Sequence, residues 1–111
     1  MITGDIAEAK DVCEILQEFS TYTNKPIYFV LGNHDYYFGS VNNVREKVRA
    51  LCAQNKNLIW LGEHKILALA DGIVLVGHNG WADVSYGDFD HSFVNLNDSR
   101  ALLLSYTKLF Y

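Results

Sequence analysis

The chain has 111 residues, 50% of them hydrophobic and 14% aromatic, which is the composition of one core-forming domain and excludes a disordered segment. Nine Lys and Arg residues against thirteen Asp and Glu residues give a net charge of -4 without a basic run, so the sequence offers no electrostatic source of non-specific nucleic-acid binding. Every apolar stretch is far shorter than the ~20 residues of a membrane span, which argues against a membrane partner.

The first half of the chain alternates short apolar runs with helical patterns. Residues 1–3 predict a short strand that runs into Gly4 and Asp5. Apolar residues then recur at three- and four-residue spacing over residues 6–22, which predicts an amphipathic helix. The Asn-Lys-Pro sequence at 24–26 is expected to end it, and the continuous apolar run 27–31 is typical of a buried parallel strand. The order strand, helix, strand indicates an α/β fold.

The second half continues this alternation with shorter elements. Ser40 is the predicted N-cap of a helix that ends near Asn55. Strands are predicted at 58–61, 65–69 and 73–77, with turns at 62–64 and at Asp71-Gly72. A polar and aromatic loop over 79–95 and a last helix from Asn97 complete the prediction.

Two loops that follow predicted strands carry the chemistry-bearing side chains. Asp5 follows the first strand, and Asn33, His34 and Asp35 follow the second. Loops at the C-terminal ends of parallel strands converge on one crevice, and carboxylate, amide and imidazole groups suit Mn²⁺, Fe or Zn²⁺. Asp35 could fix the tautomer of His34 by accepting its second ring N–H. The simpler interpretations are a helix-capping aspartate at Asp5 and an ordinary strand-exit turn at 33–35.

These two segments, Thr3-Gly4-Asp5 and Leu31-Gly32-Asn33-His34-Asp35, resemble the calcineurin-like metallophosphoesterase family. The second segment is a highly specific signature, whereas a Gly-Asp pair is weak by itself. The resemblance implies an α/β fold that is part of a four-layer α/β/β/α sandwich with two mixed sheets. It also implies that residues 1–111 form a single, incomplete domain of that family.

The resemblance assigns a role to each residue of the two loops. Asp5 would bridge two divalent metal ions (Mn, Fe or Zn) and Asn33 would ligate the second ion. His34 would be catalytic, protonating the leaving oxygen or stabilising the phosphoryl charge, and Asp35 would orient His34. The implied activity is hydrolysis of a phosphate mono- or diester, as a phosphatase or a phosphodiesterase.

The printed sequence matches only the middle of the family's pattern. The family's Asp-x-His motif and its later single histidine have no counterpart in this sequence. Its Gly-His-x-His pair is also missing, because Asn79 and Gly80 follow Gly77-His78 where a second histidine is needed. We therefore expect a fragment of a phosphoesterase. His78 is expected to be a packed or loop histidine, and the alternatives are that it faces the substrate or the metal. The alternative is a catalytically inactive fragment that acts as a binding or assembly module, with a homo-oligomer as one such assembly. A doubly wound nucleotide-binding domain is disfavoured because the chain has no Gly-x-Gly-x-x-Gly or Walker loop.

The remaining conspicuous side chains have simpler interpretations. The aromatic run 36–38 is expected to fill space beneath its loop rather than flank a substrate, and the basic residues between 45 and 49 are expected to form a solvated helix face. Cys13 and Cys52 lie inside apolar helical patterns rather than in a disulfide framework, which favours a reduced, cytoplasmic setting.

Overall fold

A computed structural model describes residues 1–64 and 66–79. Two helices of ordinary length, α1 (Val12–Thr23) and α2 (Val41–Gln54), and a short helix α3 (Leu61–His64) alternate with strands. The strands are β1 (Ile2–Thr3), β2 (Ile27–Val30), β3 (Leu58–Trp60), β4 (Ile66–Ala70) and β5 (Ile73–Val76). Most of the predicted loop at 79–95 and all of the predicted last helix lie outside the described residues.

Strands β1, β2 and β3 form a parallel sheet in chain order, with β2 in the middle. Ile2 lies opposite Phe29, and Tyr28 lies opposite Ile59. Helix α1 connects β1 to β2, and α2 connects β2 to β3, so the predicted α/β class is confirmed. Because parallel strands end at the same edge of a sheet, the loops that follow β1 and β2 are neighbours.

The hydrophobic core lies between this sheet and helices α1 and α2. Along β2, Ile27 and Phe29 are buried, while Tyr28 and Val30 are half-buried, so the alternation of side chains directs one face toward the helices. The core is formed by apolar side chains of both helices, of β2 and β3, and of the segment that follows β2. Its buried residues are Val12, Leu16, Ile27, Phe29, Leu31, Tyr36, Val44, Val48, Leu58 and Trp60.

Strands β4 and β5 form an antiparallel hairpin that is a separate sheet within the described part of the chain. The predicted Asp71-Gly72 turn joins them, and Gly72 has the positive φ of 75° that such turns favour. The hairpin presents apolar side chains to solvent: Ile66 is 67% exposed, Val74 61% and Val76 62%. These residues form what we call the apolar hairpin face.

Two boundaries differ from the sequence prediction. Helix α1 begins at Val12 rather than at Ile6. The connection before it is bound to the second loop, since the backbone amides of Ile6 and Ala7 donate to the side chain of Asp35 and that of Ala9 donates to the carbonyl of Tyr37. Residues 61–64 form α3, where the sequence predicted the end of a strand and a turn. Ser40 does occupy the N-cap position of α2, although its side chain makes no capping hydrogen bond.

The two cysteines are thiols in half-buried positions on α1 and α2. Burial raises the pKa of Cys13, and it raises the pKa of Cys52 to about 11. Both thiols therefore behave as small packing groups, as their apolar sequence context predicts. Within residues 1–64 and 66–79, no helix is both long and apolar enough to cross a bilayer.

The packing of α1 on the sheet makes a direct prediction for stability. Leu16 is 0% exposed, so Leu16→Ala removes buried methyl groups and leaves a cavity. We expect the free energy of unfolding, measured by urea denaturation, to fall by about 2–5 kcal/mol. Tyr22→Ala on the same helix is the control, because Tyr22 is 95% exposed and should shift stability by no more than about 0.5 kcal/mol. Equal effects of the two substitutions would contradict this packing.

Candidate active site

The loops after β1 and β2 approach each other so closely that both require glycine. Gly4 has a φ of 102°, and a Cβ atom added to it would lie 2.9 Å from the backbone nitrogen of Gly32. A Cβ atom added to Gly32 would lie 2.7 Å from the backbone nitrogen of Asp5 and would overlap the Asp5 carboxylate. The absence of side chains at these two positions therefore lets Asp5 lie directly against the second loop.

Asp5 is held in a left-handed backbone conformation, with a φ of 52°. Among residues other than glycine, aspartate and asparagine adopt this region most often, and such conformations are concentrated at functional sites. The Oδ1 atom of Asp5 accepts a hydrogen bond of 3.2 Å from the backbone N–H of His34. The side chain remains exposed, so its carboxylate is both fixed by the second loop and open to a ligand.

Asp35 joins the same two loops from beneath. Its side chain is 0% exposed. Oδ1 accepts hydrogen bonds from the backbone amides of Ile6 (2.7 Å) and Ala7 (2.9 Å), and Oδ2 accepts one from Gly32 (2.8 Å). Burial raises the pKa of the Asp35 carboxyl, and these backbone hydrogen bonds oppose that rise because they stabilise the charged form.

The structure thus gives Asp35 a different set of partners from the one that the sequence predicted. We expected its carboxylate to accept the second ring N–H of His34. Instead, each oxygen is engaged by backbone N–H groups, two of them from the loop that follows β1. The Asp35 carboxylate therefore links the loop after β2 to the loop after β1 through backbone N–H groups.

Asn33 and His34 lie at the start of a 3-10 turn, His34–Tyr36, that follows the second loop. The Nδ2 atom of Asn33 donates a hydrogen bond of 3.2 Å to the hydroxyl of Tyr37. The exposed imidazole of His34 stacks on the ring of Tyr37, with centroids 4.4 Å apart and planes at 22°. The structure therefore brings Asp5, Asn33 and His34 together at one edge of the sheet, as the sequence predicted.

A family model described as calcineurin-like phosphoesterase matches residues 1–106, which include both loops. The chain belongs to the calcineurin-like phosphoesterase family. Metal-dependent hydrolysis of phosphate esters is the chemistry of this family, and its members generally use divalent metal ions. No curated protein and no solved structure matched the chain.

The donor atoms at the loops fit the metal chemistry of calcineurin-like phosphoesterases in part. Asp5 offers an exposed carboxylate and Asn33 an amide oxygen, and divalent ions such as Mn²⁺ accept such oxygen ligands. The glycine at position 32 leaves the space that the Asp5 carboxylate fills. Within residues 1–64 and 66–79, however, no group of three or more His, Cys, Asp and Glu side chains could hold a metal ion. These loops therefore supply only part of a metal-binding set.

The other histidines have separate surroundings. His78 borders a shallow depression of about 260 Å³ with Thr3, Val30 and Leu61, close to the ends of β1 and β2. His64 is exposed at the end of α3, and His91 lies outside the described residues. The depression places His78 near the strand ends that carry the two loops.

The aromatic and basic runs are only partly as predicted. Tyr36 is 0% exposed and fills the core, which confirms the packing prediction, whereas Phe38 is 73% exposed. Arg49 is exposed, as predicted for a solvated helix face, and its guanidinium forms two hydrogen bonds of 3.0 Å with Glu63 and lies 5.9 Å from the ring centroid of Trp60. The Arg49 hydrogen bond lowers the pKa of Glu63. This ion pair ties α2 to α3, away from the loops.

Replacement of Asp35 tests its role as the link between the loops. Asp35→Asn keeps the shape of the side chain, but its NH₂ group cannot accept a hydrogen bond and must face at least one backbone N–H. We expect the free energy of unfolding to fall by about 1–3 kcal/mol, as measured by urea denaturation. Asp71→Asn is the matched control, because Asp71 is exposed in a turn where Asn-Gly is equally favourable. Unchanged stability in Asp35→Asn would show that these bonds do not hold the loops.

Proposed function

We propose that this chain provides part of a dinuclear metal site that hydrolyses phosphate mono- or diesters. Asp5 and Asn33 are the metal ligands and His34 is the catalytic acid. The single observation that carries the proposal is the contact between the two loops, in which the Asp5 carboxylate accepts the backbone N–H of His34 at 3.2 Å. Membership of the calcineurin-like phosphoesterase family supports the same chemistry.

Each proposed role follows from the position of the side chain. Divalent ions bound at the loops would stabilise the phosphoryl charge and make the attacking water more acidic. Asp5 and Asn33 hold their oxygen donors on adjacent strand ends, where the substrate phosphate approaches from solvent. His34 has an exposed ring, so its N–H can protonate the ester oxygen as the bond from phosphorus to that oxygen breaks. Asp35 keeps the two loops in contact during this step.

We also propose that the chain is part of a four-layer α/β/β/α sandwich. Helices α1 and α2 and the sheet β1–β3 form two layers, and we propose that the hairpin β4–β5 begins the second sheet. Two observations support this. Tyr28 and Val30 lie on the sheet face opposite the helices, and a Cβ atom added to Gly77, directly after β5, would lie 2.9 Å from a methyl group of Val30. The apolar hairpin face would then be covered by further layers.

We propose that the remaining metal ligands come from outside the 111 residues of this chain. Asp5 and Asn33 alone fall short of the four to six ligands that Zn²⁺ and Mn²⁺ prefer. We therefore expect the 111-residue chain to bind metal weakly and to lose it on dialysis. Two tightly held metal ions per chain by elemental analysis would contradict this, and would require ligands from the undescribed residues or from a second copy of the chain.

Paramagnetic broadening by Mn²⁺ tests the proposed ligands directly. In NMR spectra of the chain, Mn²⁺ should broaden the amide signals of residues 4–7 and 32–36 before all others. Asp5→Asn should weaken this broadening, because a charged oxygen ligand is replaced by a neutral one. Asp71→Asn, at an exposed turn, should leave it unchanged. Broadening centred elsewhere, or insensitive to Asp5→Asn, would contradict the assignment.

Hydrolysis of p-nitrophenyl phosphate and of its bis ester with added Mn²⁺ tests the catalytic part. We expect little or no turnover by the 111-residue chain, since loss of metal stabilisation costs several kcal/mol and each ~1.4 kcal/mol is about tenfold in rate. A general acid such as His34, worth roughly 10²- to 10⁴-fold, does not compensate for that loss. Metal-dependent turnover that Asp5→Asn and His34→Ala both abolish, while His64→Ala does not, would instead show that the chain carries a complete site.

A second candidate function is assembly with another copy of the chain. The observation that favours it is the apolar hairpin face, with Ile66, Val74 and Val76 each more than half exposed. Residues of this kind are buried when strands pair or layers pack. Sedimentation distinguishes the candidates: concentration-dependent association that Val74→Lys abolishes supports assembly, and a stable monomer over the micromolar range opposes it.

A further inference from the structure

Tyr37 contacts Asn33 and His34, two neighbouring residues that have roles in the proposed function. Its hydroxyl accepts a hydrogen bond of 3.2 Å from the Nδ2 atom of Asn33. Its ring stacks on the imidazole of His34, with a centroid separation of 4.4 Å and an interplanar angle of 22°. One side chain therefore constrains a proposed metal ligand and a proposed acid at the same time.

In the structure, the nitrogen end of the Asn33 amide is hydrogen-bonded to the hydroxyl of Tyr37. An asparagine amide has a donor end and an acceptor end, and only the oxygen end can bind a cation. Because the nitrogen of Asn33 is directed to the hydroxyl of Tyr37, the oxygen lies on the other side of the amide. In the reversed orientation, the NH₂ group would lie where the ligating oxygen is needed.

Stacking on Tyr37 restricts the imidazole of His34 in a different way. His34 is exposed, so solvent alone would leave its ring free to adopt several rotamers. The half-buried ring of Tyr37 gives the imidazole a flat surface and so selects one ring plane.

The backbone of Tyr37 is itself held on both sides. Its N–H donates to the carbonyl of His34 at 3.0 Å, and its carbonyl accepts the N–H of Ala9, in the connection between β1 and α1, at 3.3 Å. Tyr37 is thus attached to the same connection that carries Asp5, and this attachment makes it a stable support for the two side chains.

From these contacts we infer that Tyr37 is a positioning residue, which holds the side-chain amide of Asn33 in place at the metal site and sets the ring plane of His34. The contacts of Tyr37 are observed in the structure, and their role in positioning a metal ligand and an acid rests on the proposed function. Outer groups that orient metal ligands typically change metal affinity by about 10- to 100-fold when they are removed.

Two substitutions separate the contributions of the hydroxyl and the ring. Tyr37→Phe removes the hydrogen bond to Asn33 and keeps the stacking surface, whereas Tyr37→Leu removes both. Tyr22→Phe is the matched control, because Tyr22 is 95% exposed on α1. Far-ultraviolet circular dichroism and amide NMR spectra first establish that each variant keeps the fold.

NMR of the metal-free chain tests the positioning directly. In Tyr37→Phe, we expect the side-chain NH₂ signals of Asn33 to shift and to exchange faster with solvent, while the His34 ring protons keep their ring-current shifts. In Tyr37→Leu, the ring-current shifts should also disappear. Unchanged Asn33 signals in Tyr37→Phe, or unchanged His34 ring signals in Tyr37→Leu, would overturn the inference.

Titration with Mn²⁺ tests the consequence for the metal. We expect Tyr37→Phe to weaken the selective broadening around Asn33 so that about tenfold more Mn²⁺ is needed, and Tyr22→Phe to have no effect. Equal Mn²⁺ affinity in wild type and Tyr37→Phe would overturn the link to metal binding. If Mn²⁺ does not select these loops in the wild type, the proposed function fails, and the metal-free spectra still decide whether Tyr37 positions Asn33 and His34.

Discussion

A buried carboxylate joins the two loops on which the candidate site is built. Asp35 belongs to the loop after β2, yet its Oδ1 atom accepts the backbone amides of Ile6 and Ala7 from the loop after β1. Hydrogen bonds to a charged acceptor are stronger than neutral ones, and in a site without solvent no water replaces them if they break. The relative position of the two strand ends therefore depends on this side chain.

Several features of the site follow from that link. Residues 6 and 7 are bound to Asp35, and Asp5 lies in the irregular connection between β1 and α1. The left-handed backbone of Asp5 is unfavourable in isolation, with a cost on the order of 1–3 kcal/mol, and is stabilised by the surrounding hydrogen bonds. The same arrangement brings the Asp5 carboxylate against Gly32 and beside Asn33. A donor pair prepared in this way loses little conformational entropy when it binds a metal ion.

The regular elements of the fold were predictable from the sequence because they depend on local patterns. The apolar run at β2, the periodicity of α2 and the Asp71-Gly72 turn each determine their structure within a few residues. The start of α1 was not predictable in this way. The segment before it is bound to Asp35, which lies 29 positions after Ile6 and 28 after Ala7 in the chain, and no local pattern contains such a contact.

Parts of the candidate site were likewise predictable from the sequence, and other parts were not. The proximity of Asp5, Asn33 and His34 was predicted from parallel strand topology, which brings successive loops to one edge. The partners of Asp35 were predicted wrongly, since adjacency to His34 in sequence suggested a side-chain contact that the turn does not make. The double contact of Tyr37 was missed because it depends on the 3-10 turn at 34–36, and the sequence offers only an aromatic residue beside a polar motif.

Site-resolved amide hydrogen exchange tests the central claim that Asp35 holds the loops together. The amides of Ile6, Ala7 and Gly32 lie outside the regular helices and strands, so only the Asp35 carboxylate explains strong protection there. We expect all three to exchange slowly in the wild-type chain, and all three to lose protection together in Asp35→Ala. Exchange at these amides as fast as at the exposed Asp71-Gly72 turn in the wild type would contradict the account.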